Sequence, residues 1–150
     1  MHIRRFASMG LLVLTLTAAV AAQGFKVYPG ATKYTPPDTK EAKEAMEAVP
    51  PGTTTDAYLT GDSFEKVVAF YKTFAKEYSM PRRRTAATTR LPNGQDLKQT
   101  FFIFDGADSI VTSRHWAKVQ RPFVGSSEMK GMTPQYHDIR DVTEIVFTQK

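Results

Sequence analysis

Between Asp62 and Phe104 the spacing of apolar residues changes from a helical period to an alternating one. No other feature of the chain constrains its fold as much. Phe64, Val67, Val68, Tyr71, Phe74, Ala75 and Tyr78 recur on one helical face, while Lys66, Lys72, Lys76 and Glu77 lie mainly off it. Asp62-Ser63-Phe64-Glu65 has the spacing of a capping box and Met80-Pro81 supplies a stop, so one amphipathic helix is predicted over residues 62–79. Beyond it, residues 82–91 and 97–104 read as strands around Pro92-Asn93-Gly94, a hairpin turn signal. A turn at Asp105-Gly106 leads into a strand-like stretch over 109–119, residues 142–148 form a β-rich close, and 54–60 supply a strand before the helix. The expectation is an α+β domain with an antiparallel sheet of about four to five strands in the order β-α-β-β-β-β, packed by one main helix.

Alternation in the sheet places Phe101 and Ile103 opposite to Phe102 and Phe104, so both faces need cover. The helix supplies one cover. The other falls to the lead-in over 23–37 (Phe25, Val27, Tyr28, Tyr34), to a short helix after the capping-box spacing Asp38-Thr39-Lys40-Glu41, or to a partner. That short helix carries Ala42, Ala45, Met46 and Val49 at helical spacing and is stopped by Pro50-Pro51-Gly52. Residues 121–141 show no clear period. They are either a long functional or mobile loop or a stretch containing an unrecognised short element.

Residues 1–22 have the three zones of a secretory signal: Arg4 and Arg5, an apolar run from Met9 to Val20, and a small-residue end with cleavage near Ala21 or Ala22. The run is shorter than the ~20 apolar residues of a spanning helix and is interrupted by Thr15 and Thr17. The flanking polar residues of a twin-arginine signal are missing, so general secretion to periplasm or medium is the expected route. The remaining residues, 23–150, form one domain not embedded in a membrane. Loss of Arg4 and Arg5 lowers the net charge from +5 to +3, too little to point to nucleic acid. There are no cysteines, which removes thiol catalysis, cysteine-held metals and a lipoprotein anchor from consideration. The domain must then rely on packing in a compartment that permits disulfides.

Tyr28-Pro29-Gly30-Ala31, then Tyr58-Leu59-Thr60-Gly61-Asp62-Ser63, then Val67-Val68-Ala69-Phe70-Tyr71-Lys72 resemble a loose group of small, uncharacterised bacterial exported proteins and lipoproteins. Those carry a "YPGA" segment, a "T-x-D-S" helix start and a "VVxFYK" helix. The resemblance covers residues 28–78 and implies an exported α+β domain. It transfers no catalytic residue.

Residues with chemistry are sparse. His115 and His137 have no partner at metal-ligand spacing, and no cofactor is expected. Asp105-Gly106-Ala107-Asp108 is better explained by a tight turn than by calcium. Ser126-Ser127 lacks a nucleophile elbow, leaving only an assembly with His137 and Asp138 or Asp141 defined by geometry. Arg82, Arg83 and Arg84, with Arg90, and later Arg114, Lys118 and Arg121, gather positive charge suited to a carboxylate or phosphate. The competing explanation is that arginines after a helix end favour its dipole and keep a strand edge soluble. The leading expectation is a non-catalytic module that binds a ligand or protein across the sheet face and residues 121–141. Arg82, Arg84, Arg114, Trp116, Tyr136 and His137 are its candidate contacts, and an anionic small molecule or an envelope protein its partner. The alternatives are a hydrolase without a recognised motif and an envelope structural protein.

Overall fold

Strand signals are realised in greater number than periodicity predicts. The computed structural model describes residues 24–78 and 89–150. In chain order the elements are β1 (Thr32–Tyr34), α1 (Lys40–Glu47), β2 (Thr54–Thr60), α2 (Phe64–Lys72), β3 (Lys76–Tyr78), β4 (Thr89–Arg90), β5 (Asp96–Ile103), β6 (His115–Arg121), β7 (Phe123–Lys130), β8 (Thr133–Arg140) and β9 (Thr143–Gln149). Seven strands form one antiparallel sheet in the order β1-β2-β9-β6-β5-β3, with β4 also on β5, and β7 and β8 pair separately.

The expected α+β domain of four to five strands is therefore corrected: the described residues are mostly β, with nine strands and two helices. The strands beyond those expected are β1, β3, β7 and β8, and one expected strand is shorter. The main helix ends at Lys72 rather than 79, and Lys76–Tyr78 turn into a strand against Phe101–Ile103. Phe74 and Tyr78 are four residues apart, a spacing close to one helical turn and also an even number, so they fit either period. The predicted strand over 109–119 begins only at His115, because Asp105 holds the preceding loop. Its carboxylate accepts from Ser113 Oγ at 2.9 Å, from the Arg114 amide at 2.6 Å and from the Ala107 and His115 amides at 3.3 Å. Residues 121–141, without a period in the sequence, are a β-ribbon.

Both helix starts lie one residue later than the capping boxes suggest. Ser63 Oγ accepts from the Lys66 amide and Thr39 Oγ1 from the Ala42 amide. Asp62, relieved of capping, has another task. Its carboxylate accepts from Tyr28 Oη at 2.7 Å and pairs with Lys66 Nζ at 3.0 Å. Tyr28 is buried, sits edge-on to Phe70, and its carbonyl closes the Pro29-Gly30 turn by accepting from the Ala31 amide. Gly30 has φ 78°, which favours glycine there. Two of the segments that carried the family resemblance are thus tied together by one hydrogen bond, and their residues serve the fold.

The hydrogen bond from Tyr28, then that from Lys66, holds the Asp62 carboxyl below its ordinary range. A depressed carboxyl contributes stability above its unfolded value, and that contribution is lost as pH falls through the lowered folded value. Asp62→Asn is therefore expected to flatten the fall in stability between about pH 5 and about pH 2. Urea midpoints across that range should converge for the two proteins at the acid end; parallel curves would contradict this role.

The core lies between α2 and one sheet face. Val67, Val68, Tyr71 and Phe74 meet Phe102, Phe104, Ala117, Val119 and Ile145. The lead-in joins this same side: Phe25 stacks on Phe147 at 4.2 Å and on Tyr71 at 5.9 Å. Tyr34 of β1, by contrast, lies by register on the second face, and α1 buries no residue at all.

Candidate functional site: the β7–β8 ribbon

After β6 the buried Pro122, with no N–H to donate, interrupts the ladder, and the Phe123 amide then donates to the Val142 carbonyl at 3.1 Å. The ribbon that follows is fastened at its base. Phe123 is 1% exposed, meets Tyr34 of β1 edge-on at 5.0 Å, and carries the Arg140 guanidinium over its ring at 4.3 Å. Below it, Arg121 donates to the Asp62 carbonyl at 2.9 Å, to Thr143 Oγ1 at 3.2 Å, and to the side chain and carbonyl of Asp141 at 3.0 and 2.9 Å. This guanidinium joins the start of α2 to the root of the ribbon.

Past Val124, β7 is exposed along its whole length, and β8 is exposed or half-buried. Register pairs Val124 with Ile139, Ser126 with His137, Ser127 with Tyr136, Met129 with Pro134 and Lys130 with Thr133. The two-residue loop Gly131-Met132 follows, and φ 65° at Gly131 with no positive φ at Met132 is a type II′ hairpin turn. Alternation gives the ribbon two faces. One carries Phe123, Ser127, Met129, Pro134, Tyr136 and Arg140; the other carries Val124, Ser126, Glu128, His137 and Ile139. Asp138 sits at φ 50°, and Gly125 opposite it has no room for a side chain, since an added Cβ would lie 2.8 Å from the Asp138 Cβ.

The six expected contacts are not gathered into one site. Arg82 and Arg84 lie outside the described residues. Arg114 is exposed before β6, its backbone engaged by Asp105 and by the Lys150 amide. Trp116 is on the second sheet face, 6.0 Å from Phe101, with a buried Nε1 that finds no hydrogen-bond partner among the described residues. Tyr136 and His137 are on the ribbon, beyond the other end of β6, and on opposite faces of it. Among the described residues no hydrogen bond, ion pair or ring contact links these two pairs. The cationic cluster is also dispersed, Lys118 to Glu144 at 3.3 Å and Arg121 to Asp141. His137 pairs with Glu128 at 3.2 Å, Asp138 with Arg140 at 3.1 Å, and among the described residues no side-chain hydrogen bond joins Ser126 or Ser127 to His137.

The residues that sequence reasoning passed over are at the tip. Met132 is 96% exposed and Met129 65% exposed, with Glu128 and Lys130 between and beside them. The signal for them was Lys130-Gly131-Met132-Thr133, a glycine placed to turn a hairpin. Among the described residues no group of three or more metal-ligating side chains comes together, and no helix is long and apolar enough to cross a membrane. No protein-family model matches the chain, and neither a curated protein nor a solved structure matches it.

Proposed function

We propose that the chain is an exported, non-catalytic binding module that engages a protein partner through the β7–β8 ribbon. One observation carries this reading: a two-stranded ribbon standing clear of the sheet, its tip bearing two exposed methionines. A lone hairpin is marginal in water, and exposed apolar side chains at its tip gain most when a partner covers them. Methionine suits such contacts because its unbranched side chain adapts to an uneven surface.

A photo-reactive residue introduced at Met132, in the cells that make the protein, should give a discrete cross-linked product. The same residue at Ala69, exposed on α2, should not. Replacing residues 127–136 by Asn-Gly, which leaves the pair Ser126 and His137 to close the shortened hairpin, should abolish partner binding while leaving the thermal transition of the sheet almost unchanged. Equal cross-linking from positions 132 and 69 would overturn the reading.

A further inference from the structure

We infer that the outer edge of β7 is a self-recognition edge, where two copies of the chain pair antiparallel about a two-fold axis at Met129. The inference rests on the ribbon being the contact surface and names its occupant, a second copy.

The two edges of the ribbon are not equivalent. In a hairpin with a two-residue loop the closing pair, here Lys130 and Thr133, exchanges both hydrogen bonds. The next pair, Met129 and Pro134, therefore turns its backbone groups outward, and so do Ser127 with Tyr136 and Gly125 with Asp138. On the β8 edge these outward positions include Pro134, which has no N–H, and Asp138, whose φ of 50° breaks the extended path. Proline and local kinks are how natural sheets close an edge to pairing. On the β7 edge the outward positions Gly125, Ser127 and Met129 all keep their N–H, and none has a positive φ. One edge is blunted and the other is open.

The open edge complements itself. Glu128 and Lys130 flank Met129 with opposite charges, so antiparallel pairing about Met129 sets each Glu128 across from Lys130 of the second copy, twice by symmetry. Met129 is an outward-bonding position, so the two Met129 residues can exchange both backbone hydrogen bonds on the axis. Their side chains then meet on one face in a row running Pro134, Met129, Met129, Pro134, which covers a methionine otherwise 65% exposed. The contact is confined to the distal ribbon, below the ~1,200 Å² of standard interfaces, so association is weak and concentration-dependent.

Sedimentation of the purified protein between about 10 and about 500 µM, a range suited to weak interfaces, should show average mass rising toward twice the monomer. Glu128→Lys and Lys130→Glu singly place like charges opposite each other twice and should weaken association about tenfold. The double exchange E128K/K130E restores both pairs and should return association to within about threefold of the parent. These residues are exposed, and unchanged thermal transitions will show that each variant folds. A protein monomeric throughout, single variants that associate like the parent, or a double variant as weak as the singles would each overturn the inference. If the protein stays monomeric while position 132 still cross-links a different protein, self-pairing fails and the binding-module reading stands. If position 132 captures nothing in a monomeric protein, both fail.

Discussion

Truncating Tyr71 to alanine is expected to lower the free energy of unfolding by about 3–5 kcal/mol, the range for large aromatic side chains removed from a packed core. Tyr71 is fully buried at the centre of an aromatic cluster, with Phe74, Phe102, Phe25 and Phe104 rings between 5.6 and 6.0 Å away. Its hydroxyl donates to the Lys26 carbonyl at 3.0 Å, so one side chain fastens the lead-in, α2 and the sheet. Burial pushes the phenol well above its ordinary titration range. Tyr71→Phe keeps the packing and loses one hydrogen bond, which should cost about 1 kcal/mol. Against a total stability of about 5–15 kcal/mol, the alanine variant should lose a large part of its cooperative thermal transition, while the phenylalanine variant keeps it. Near-ultraviolet circular dichroism on heating checks both. Equal, small losses would mean that the cluster does not hold the fold.

The parts of this fold legible in the sequence are those where one side of an element meets the core. Thr54–Thr60, the Pro92-Asn93-Gly94 turn and Thr143–Gln149 all lie where they were expected, within a residue or two. Phe102 and Phe104 face the helix side, and Phe101 and Ile103 are buried away from it, as alternation requires. What was illegible failed for physical reasons. Alternation reports burial of one face, and the distal ribbon buries neither, so Ser126 to Lys130 and Thr133 to Asp138 carry no period to read. A proline inside a strand, here Pro134, obscures its pattern further, although an outward-facing nitrogen is compatible with an edge.

The candidate site was legible only in outline. Residues 121–141 stood out as a long stretch that needed an explanation, and Tyr136 and His137 belong to the ribbon found there. Trp116 and Arg114 do not, because the sheet places the start of β6 at the opposite end from the ribbon's root. Clustered cations in the sequence say little about where each guanidinium or ammonium group ends. Lys118 and Arg121 lie three positions apart on an extended strand, so they point to opposite faces and find different acids. A charge cluster on a strand is divided between two surfaces unless its spacing is even.

Arg121 shows what that division achieves, and replacing it should have the second-largest effect. Its side chain is 21% exposed, and its donors reach three backbone carbonyls (Gly61, Asp62 and Asp141), one hydroxyl and one carboxylate. Asp141 is 64% exposed, so the ion pair itself is screened and contributes little. The larger loss on Arg121→Met is the set of directed hydrogen bonds, about 2–3 kcal/mol. Thr143 Oγ1 donates to the same Asp62 carbonyl at 2.7 Å and keeps it partnered, which limits the damage at the helix start. Nothing replaces the bond to the Asp141 carbonyl, at the point where β8 turns into β9. The effect should therefore be uneven, with amide exchange accelerating more in β7 and β8 than in β5, β6 and β9. Arg121→Lys retains the charge but not the planar fork, so it should resemble the methionine variant in both stability and exchange. Full rescue by lysine would show that charge alone holds the joint; uniform exchange would show that Arg121 stabilises the sheet without orienting the ribbon.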